Sequence, residues 1–206
     1  MSGGAHSPGV VTTADSKLGV VRAATADFFT AIAFPAVVNV EGGFDNNPVD
    51  AGNWTGGAQG VGELKGTKYG ISAKSYPTLD IVNLTLADAQ AIYLTDYWVP
   101  IGADVMPGDL AVLAFDGAVN QGVARIARLV QAAVGVDVDG TIGPISRAAI
   151  AAADPEALFI ELVAQRALAY ALAAGFDRFG LGWMRRLATI VYLATIVYKA
   201  RSAIQS

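Results

Sequence analysis

The sequence predicts a mainly α-helical fold carrying one small irregular or β flap near its N-terminal end. Helix-start and helix-stop signals recur from Thr85 to the C-terminus. A separate apolar helical pattern occupies Ser16 to Val40. Between Phe44 and Gly70 the chain becomes rich in Gly, Asn and Asp and loses helical periodicity. An irregular stretch of that length in a folded domain is either functional or a small sheet.

The elements follow in order. The tail to Asp15 reads as flexible. The helix over Ser16–Val40 is interrupted by Pro35, which kinks it, and stops at Gly42-Gly43, since paired glycines end helices. Short strands are expected at Gly60–Leu64 and Tyr69–Ile71. Thr85-Leu86-Ala87-Asp88 carries the Ser/Thr-x-x-Asp/Glu start signal of a helix running to Trp98. Asp109 is expected to cap a helix through Val119 that Gly122 breaks, and a further helix covers Val123–Val134. Asp139-Gly140 reads as a turn and Pro144 suits a first helical position. Asp154-Pro155 repeats that start for a long helix ending at Gly175, and a last helix begins near Trp183. Three parts result: a tail over 1–15, a region over 16–110 holding the candidate site, and a helical region over 111–206 packed on it.

Composition narrows the function. Apolar residues make up 53% of the 206 and charged residues only 16%, which excludes disorder, a coiled coil and a polyampholyte tail. With 14 basic and 18 acidic residues the net charge is −4, so no global field attracts nucleic acid. Cysteine is absent, which removes disulfides, thiolate nucleophiles and Cys-ligated zinc. The single histidine, His6, sits in a Ser/Gly-rich start, which argues against a His triad or a multi-His metal site. Chemistry therefore rests on carboxylates, hydroxyls and amides. Met1–Ala14 hold no Lys, Arg or apolar run and do not read as a secretory signal. Phe28–Val40 and Leu187–Tyr198 (a doubled LATIVY unit) are apolar but shorter than the roughly 20 residues of a spanning helix. The second, flanked by Arg185, Arg186, Lys199 and Arg201, reads as a core helix, with a membrane-active helix as the alternative.

Glu41 is the most informative residue. A helix C-terminus carries partial negative charge and disfavours an ionised carboxylate. The apolar neighbours Val37, Val38, Val40 and Phe44 add desolvation. A Glu that keeps its proton near neutral pH suits a general acid that protonates a glycosidic oxygen. The alternative is a solvated helix-end Glu before a Gly cap, and spacing alone leaves both open. Asp50 follows across a loop with Asp45, Asn46, Asn47 and Pro48. Paired carboxylates with water between them are the working parts of an inverting glycosidase, while Asn-Pro and Asp-Ala-Gly are also plain turn formers. Thr67 and Ser72 are candidates to hold that water. Asp116 and Asn120 lie one turn apart on a helix, where Asp116 reads chiefly as structural. Asp137, Asp139 and Thr141 lack the spacing of a calcium loop and read as a turn. Tyr93, Tyr97 and Trp98 read as a core face, and Trp183 as a core aromatic beside Arg186.

Several ordered motifs carry a resemblance. Glu41-Gly42-Gly43-Phe44, Asn47-Pro48, Asp50-Ala51-Gly52 and Thr67-Lys68-Tyr69-Gly70-Ile71-Ser72 resemble the signature of glycoside hydrolase family 108. That family comprises N-acetylmuramidases of bacteriophages, prophages and bacteria. The likeness continues through Ala91-Ile92-Tyr93 with Tyr97-Trp98, and through Phe115 to Gly122. It extends over Asp139-Gly140-Thr141-Ile142-Gly143-Pro144 and Gly182-Trp183-Met184-Arg185-Arg186. The latter half resembles the predicted peptidoglycan-binding region accompanying that catalytic domain.

The resemblance implies a lysozyme-like fold with Glu41 as catalytic acid and Asp50 and Thr67 as its partners. The spacing of Glu41 and Asp50 is also similar to that in phage lysozymes whose Asp and Thr position the attacking water. Trp54, Tyr69, Ser72 and Asn120 are the candidate substrate contacts. Two departures stand out: Ala51 replaces the usual second residue of its run, and Asn53–Gly66 looks like an insertion. That insertion places Thr67 later than in compact members and introduces Glu63 as a competing second carboxylate. It also supplies Trp54, either a loop anchor or a sugar-stacking face. The expectation is a monomeric endolysin cleaving peptidoglycan glycan strands, released from the host cytoplasm to the cell wall during lysis. It needs no metal or organic cofactor, because water is the second substrate. The rivals are a lytic transglycosylase and a non-catalytic wall-binding or secretion-helper protein.

Overall fold

The computed structural model describes residues 25–38 and 43–205. The expected tail, His6, the start of the first helix and its end at Val40, with Glu41 and Gly42, lie outside the described residues.

The first described helix, α1, begins at a Thr25 cap whose hydroxyl accepts from Phe28 N–H at 3.2 Å. It is α-helical over Ala26–Phe28, widens to a π turn over Phe29–Ala33 and resumes over Phe34–Val37. The interruption expected at Pro35 takes this form. A proline cannot donate to the preceding turn, so the helix loosens before it and restarts with Pro35 in its opening turn, where no donor is needed. This brings Phe29 and Phe34 into the core against Phe115 and Tyr93, with ring centroids 5.4 and 5.6 Å apart.

The flap holds two strands, β1 (Thr67–Lys68) and β2 (Ile71–Ser72), paired antiparallel with Thr67 opposite Ser72. The strand expected at Tyr69–Ile71 therefore begins at Ile71. Tyr69 and Gly70 form the turn, with φ of 51° and 77°, as a two-residue hairpin of matching twist requires. No strand forms at Gly60–Leu64; Leu64 makes one isolated bridge with Trp54. Its glycines, Gly60 and Gly62, have positive φ, which suits turns rather than extended pairing.

Helix α2 (Leu86–Tyr93) opens with the expected reciprocal cap between Thr85 and Asp88. It passes through a π turn over Leu94–Trp98 that buries Trp98. Helix α3 (Gly108–Gln121) is the centre of the molecule, buried from Asp109 through Ala118. It runs two residues past Val119 to Gly122, whose φ is 96°. The residue at its cap is Pro107; Asp109 lies inside the first turn and is buried. A carboxylate there complements the positive end of the helix dipole without capping it. Helix α4 (Val123–Val134) packs so closely on α3 that a Cβ on Gly117 would lie 2.5 Å from Ile126 Cδ1.

Helices α5 (Pro144–Ala152) and α6 (Pro155–Ala171) begin as expected, α6 with Asp154 accepting from Ala157 N–H. Helix α6 ends before Gly175, and α7 begins at Phe176, well before Trp183, and runs to Gln205. Gly180 and Gly182 lie inside this helix, with the Phe176 ring one turn earlier packed over Gly180. Leu187, Ile190 and Ala194 of α7 are buried while Tyr192 and Ile196 are exposed. Among the described residues no helix is long and apolar enough to cross a membrane. One hydrophobic core runs from Phe29 to Ile190 and takes residues from both sides of position 110.

Candidate active site

The loop before the flap is shaped by its own side chains. Asp45 Oδ1 accepts from Asn47 N–H at 3.0 Å, Asn47 Oδ1 from Val49 N–H at 3.0 Å and Asp50 Oδ1 from Gly52 N–H at 2.8 Å. These successive Asx turns replace ladder bonding. The loop is then laid against β1 by two backbone bonds between Asp45 and Thr67, at 2.9 and 2.7 Å.

Asn53 ties this corner together. It is fully buried among exposed or half-buried neighbours. Its N–H donates to Asp50 O at 3.1 Å, and its own carbonyl accepts from Lys65 and Gly66 N–H at 3.0 Å each. Its Nδ2 donates to Asn47 O at 3.1 Å and Asp45 Oδ2 at 3.4 Å, while its Oδ1 accepts from the Thr67 hydroxyl at 2.6 Å. The structure thus joins Asp50 and Thr67 through one residue, despite the stretch between them.

That stretch closes on itself. Thr55 N–H donates to Glu63 O at 2.9 Å, Glu63 N–H to Thr55 Oγ1 at 2.9 Å and Gly56 N–H to Val61 O at 3.0 Å. Glu63 rides on this excursion with its side chain 76% exposed, paired to Lys65 at 3.3 Å. Trp54 is half-buried and its indole N–H donates to Pro48 O at 2.9 Å, which anchors the loop.

Tyr69 sits at the hairpin tip in a left-handed conformation, its carbonyl accepting from the Tyr93 hydroxyl at 3.2 Å. Burial first, and then the neighbouring Tyr97, push the Tyr93 phenol up to about 12. Lys68 Nζ lies 5.6 Å from the Tyr69 ring centroid. The Ser72 hydroxyl bonds Ser75 locally at 3.2 Å. Tyr76, beyond it, donates to Asp96 Oδ2 at 2.8 Å, and burial foremost raises its phenol far above the usual range. Asn120 stands apart at the end of α3, where its amide donates to Asp116 O at 2.8 Å and Oδ1 at 3.2 Å.

Asp116 itself is structural. Its Oδ2 meets Arg166 Nη2 at 2.5 Å and its Oδ1 meets Arg186 Nε at 2.8 Å. The fully buried Arg166 also donates to Gln121 Oε1 at 2.7 Å and Leu113 O at 2.8 Å. Arg186 donates to Val37 O at 3.1 Å, at the end of α1 and four residues before Glu41. Trp183, read as a core aromatic, packs against the core and stacks on Tyr170 at 5.5 Å. In the Asp139 turn, Gln131 Nε2 donates to Asp139 Oδ1 at 2.7 Å and to Thr141 O at 3.0 Å. The Gln131 bond, followed by that from Thr141 N–H, holds the Asp139 carboxyl below the usual range. Among the described residues no group of three or more His, Cys, Asp or Glu is arranged to hold a metal.

Asn53, Arg166 and Arg186 escaped sequence reasoning as site or scaffold residues. Asn53 stands among other loop asparagines with nothing local to mark it, and the partners of both arginines are distant in sequence.

This helical body with a small β flap is of the lysozyme-like class. Residues 34–122 match the family model Glycosyl hydrolase 108. The match spans Glu41, Asp50, Asn53 and Thr67. The structure of Brucella abortus SagA is similar, with a TM-score of 0.66 and 26% identity, over 84% of this chain and 97% of that one. No curated protein matches.

Proposed function

We propose that the protein is a peptidoglycan hydrolase of the N-acetylmuramidase type, cleaving the β-1,4 bond between N-acetylmuramic acid and N-acetylglucosamine. The observation that carries this reading is the family match over residues 34–122, which contains every residue the chemistry needs. Glu41 gives its proton to the leaving oxygen. Asp50, helped by Thr67, orients and activates the water that attacks the anomeric carbon. Asp50 is favoured over Glu63 as second carboxylate because it is linked to Thr67 through Asn53, whereas Glu63 is exposed on the excursion. Trp54, Tyr69 and Ser72 contribute to the sugar-binding surface, with Asn120 at its margin.

The protein acts as a monomeric endolysin on glycan strands after release from the host cytoplasm, and the region over 111–206 adds wall binding. The test is digestion of purified sacculi with mass analysis of the products. Hydrated reducing-end muramic acid is expected. Anhydro-muramic ends would replace the reading with a transglycosylase, and intact sacculi with a wall-binding protein.

A further inference from the structure

We infer that Asn53 is a positioning residue that forces the Thr67 hydroxyl to act only as a hydrogen-bond acceptor toward water. This rests on the proposed role of Asp50 and Thr67 at the attacking water. The argument begins with the orientation of one amide. Asn47 O, 3.1 Å from the Asn53 side chain, is a backbone carbonyl and can only accept, so the group facing it is the NH2. The opposite end, 2.6 Å from Thr67 Oγ1, is then the amide oxygen, and the hydroxyl must donate to it. A threonine hydroxyl has one proton, and here it is committed. Asn53 is fully buried, so no bulk water competes for either end.

The consequence falls on the water. Thr67 has only lone pairs left, so a water bound there must point an O–H at it. With Asp50 accepting the other O–H, both protons are engaged and the oxygen lone pair is aimed away from the two side chains. A freely rotating Thr67 hydroxyl would instead donate to that lone pair and blunt the nucleophile.

Two variants at Asn53 separate this role from simple support. Asn53→Asp and Asn53→Leu both lose the donor to Asn47 O and Asp45 Oδ2, but only Asn53→Leu loses the acceptor for Thr67. With misplacement of a reacting group costing up to roughly 10²-fold, Asn53→Asp should keep several-fold more of the wild-type kcat than Asn53→Leu. Asn53→Leu should lower it by about 10-fold or more with little change in KM. In a Thr67→Val background Asn53→Leu should cost nothing further in kcat, since the hydroxyl it serves is gone. Thermal unfolding accompanies each measurement. If kcat instead follows Tm in both variants, or the double mutant is additive, the inference is wrong. Nuclear magnetic resonance gives a readout independent of turnover: a slowly exchanging Thr67 hydroxyl proton in wild type and Asn53→Asp, lost in Asn53→Leu. A rapidly exchanging proton in wild type overturns the inference even if a variant fails to fold. Full activity of Glu41→Gln alongside a protected Thr67 proton would instead sink the hydrolase reading alone.

Discussion

At Asp116 a single carboxylate faces two guanidinium groups where one of them, Arg166, has no access to water. Removing one member of a buried ion pair is costly because the survivor keeps its charge without solvent or partner. Asp116→Ala should therefore lower stability by about 3–5 kcal/mol in a denaturant titration. Tyr93 offers a second residue-level test. Its phenol is pushed up to about 12 in the folded protein, against about 10 in an unfolded chain. The native state thus favours the protonated form. That contribution is complete below pH about 10 and is lost as pH rises through about 12. Tyr93→Phe should flatten the fall in Tm between those pH values, while costing about 1 kcal/mol at neutral pH for the lost bond to Tyr69 O. Single residues were the least legible level of the sequence. Asn53 looks like any turn asparagine until Thr67 is brought against it. Asp109 looks like a cap because the burial that sets its role comes from other helices.

At the scale of elements, legibility followed the range of the forces. The starts at Thr85, Pro144 and Asp154 were readable because a cap is decided within four residues. Thr85→Ala should accordingly cost about 1 kcal/mol, read as a lower Tm. Below the ordinary carboxylate range this difference should shrink. Bonds from Thr85 hold the Asp88 carboxylate low, so its contribution is present above pH about 4 and lost as pH falls through the folded value. The beginning of α7 carries no side-chain cap signal of its own, and its first turns are held by Phe176 and Phe179 against Trp183, which stacks on Tyr170 of α6. The flap strands are two residues each, too short for alternation to register. They persist because the Asp45–Thr67 bridge and Asn53 hold them from outside the hairpin. The excursion after Asn53 leaves that geometry intact because Lys65 and Gly66 at its far end both return to the Asn53 carbonyl at its start.

Across the whole molecule, the mainly α architecture with a small flap is legible from composition and helix signals, while the particular contacts that join its two parts are not. Helix α3 is buried between Asp109 and Ala118, so its sequence has no polar face from which its neighbours might be read. Around it the C-terminal helices support the N-terminal part of the site. Arg186 on α7 reaches both Asp116 and the carbonyl end of α1, just before the glutamate on which the proposed chemistry depends. The measurement that bears most directly on the account is turnover of purified sacculi by Glu41→Gln, a substitution that keeps size and removes the transferable proton. The account predicts a loss of about 10²- to 10⁴-fold with an unchanged Tm; muropeptide release at the wild-type rate would contradict it.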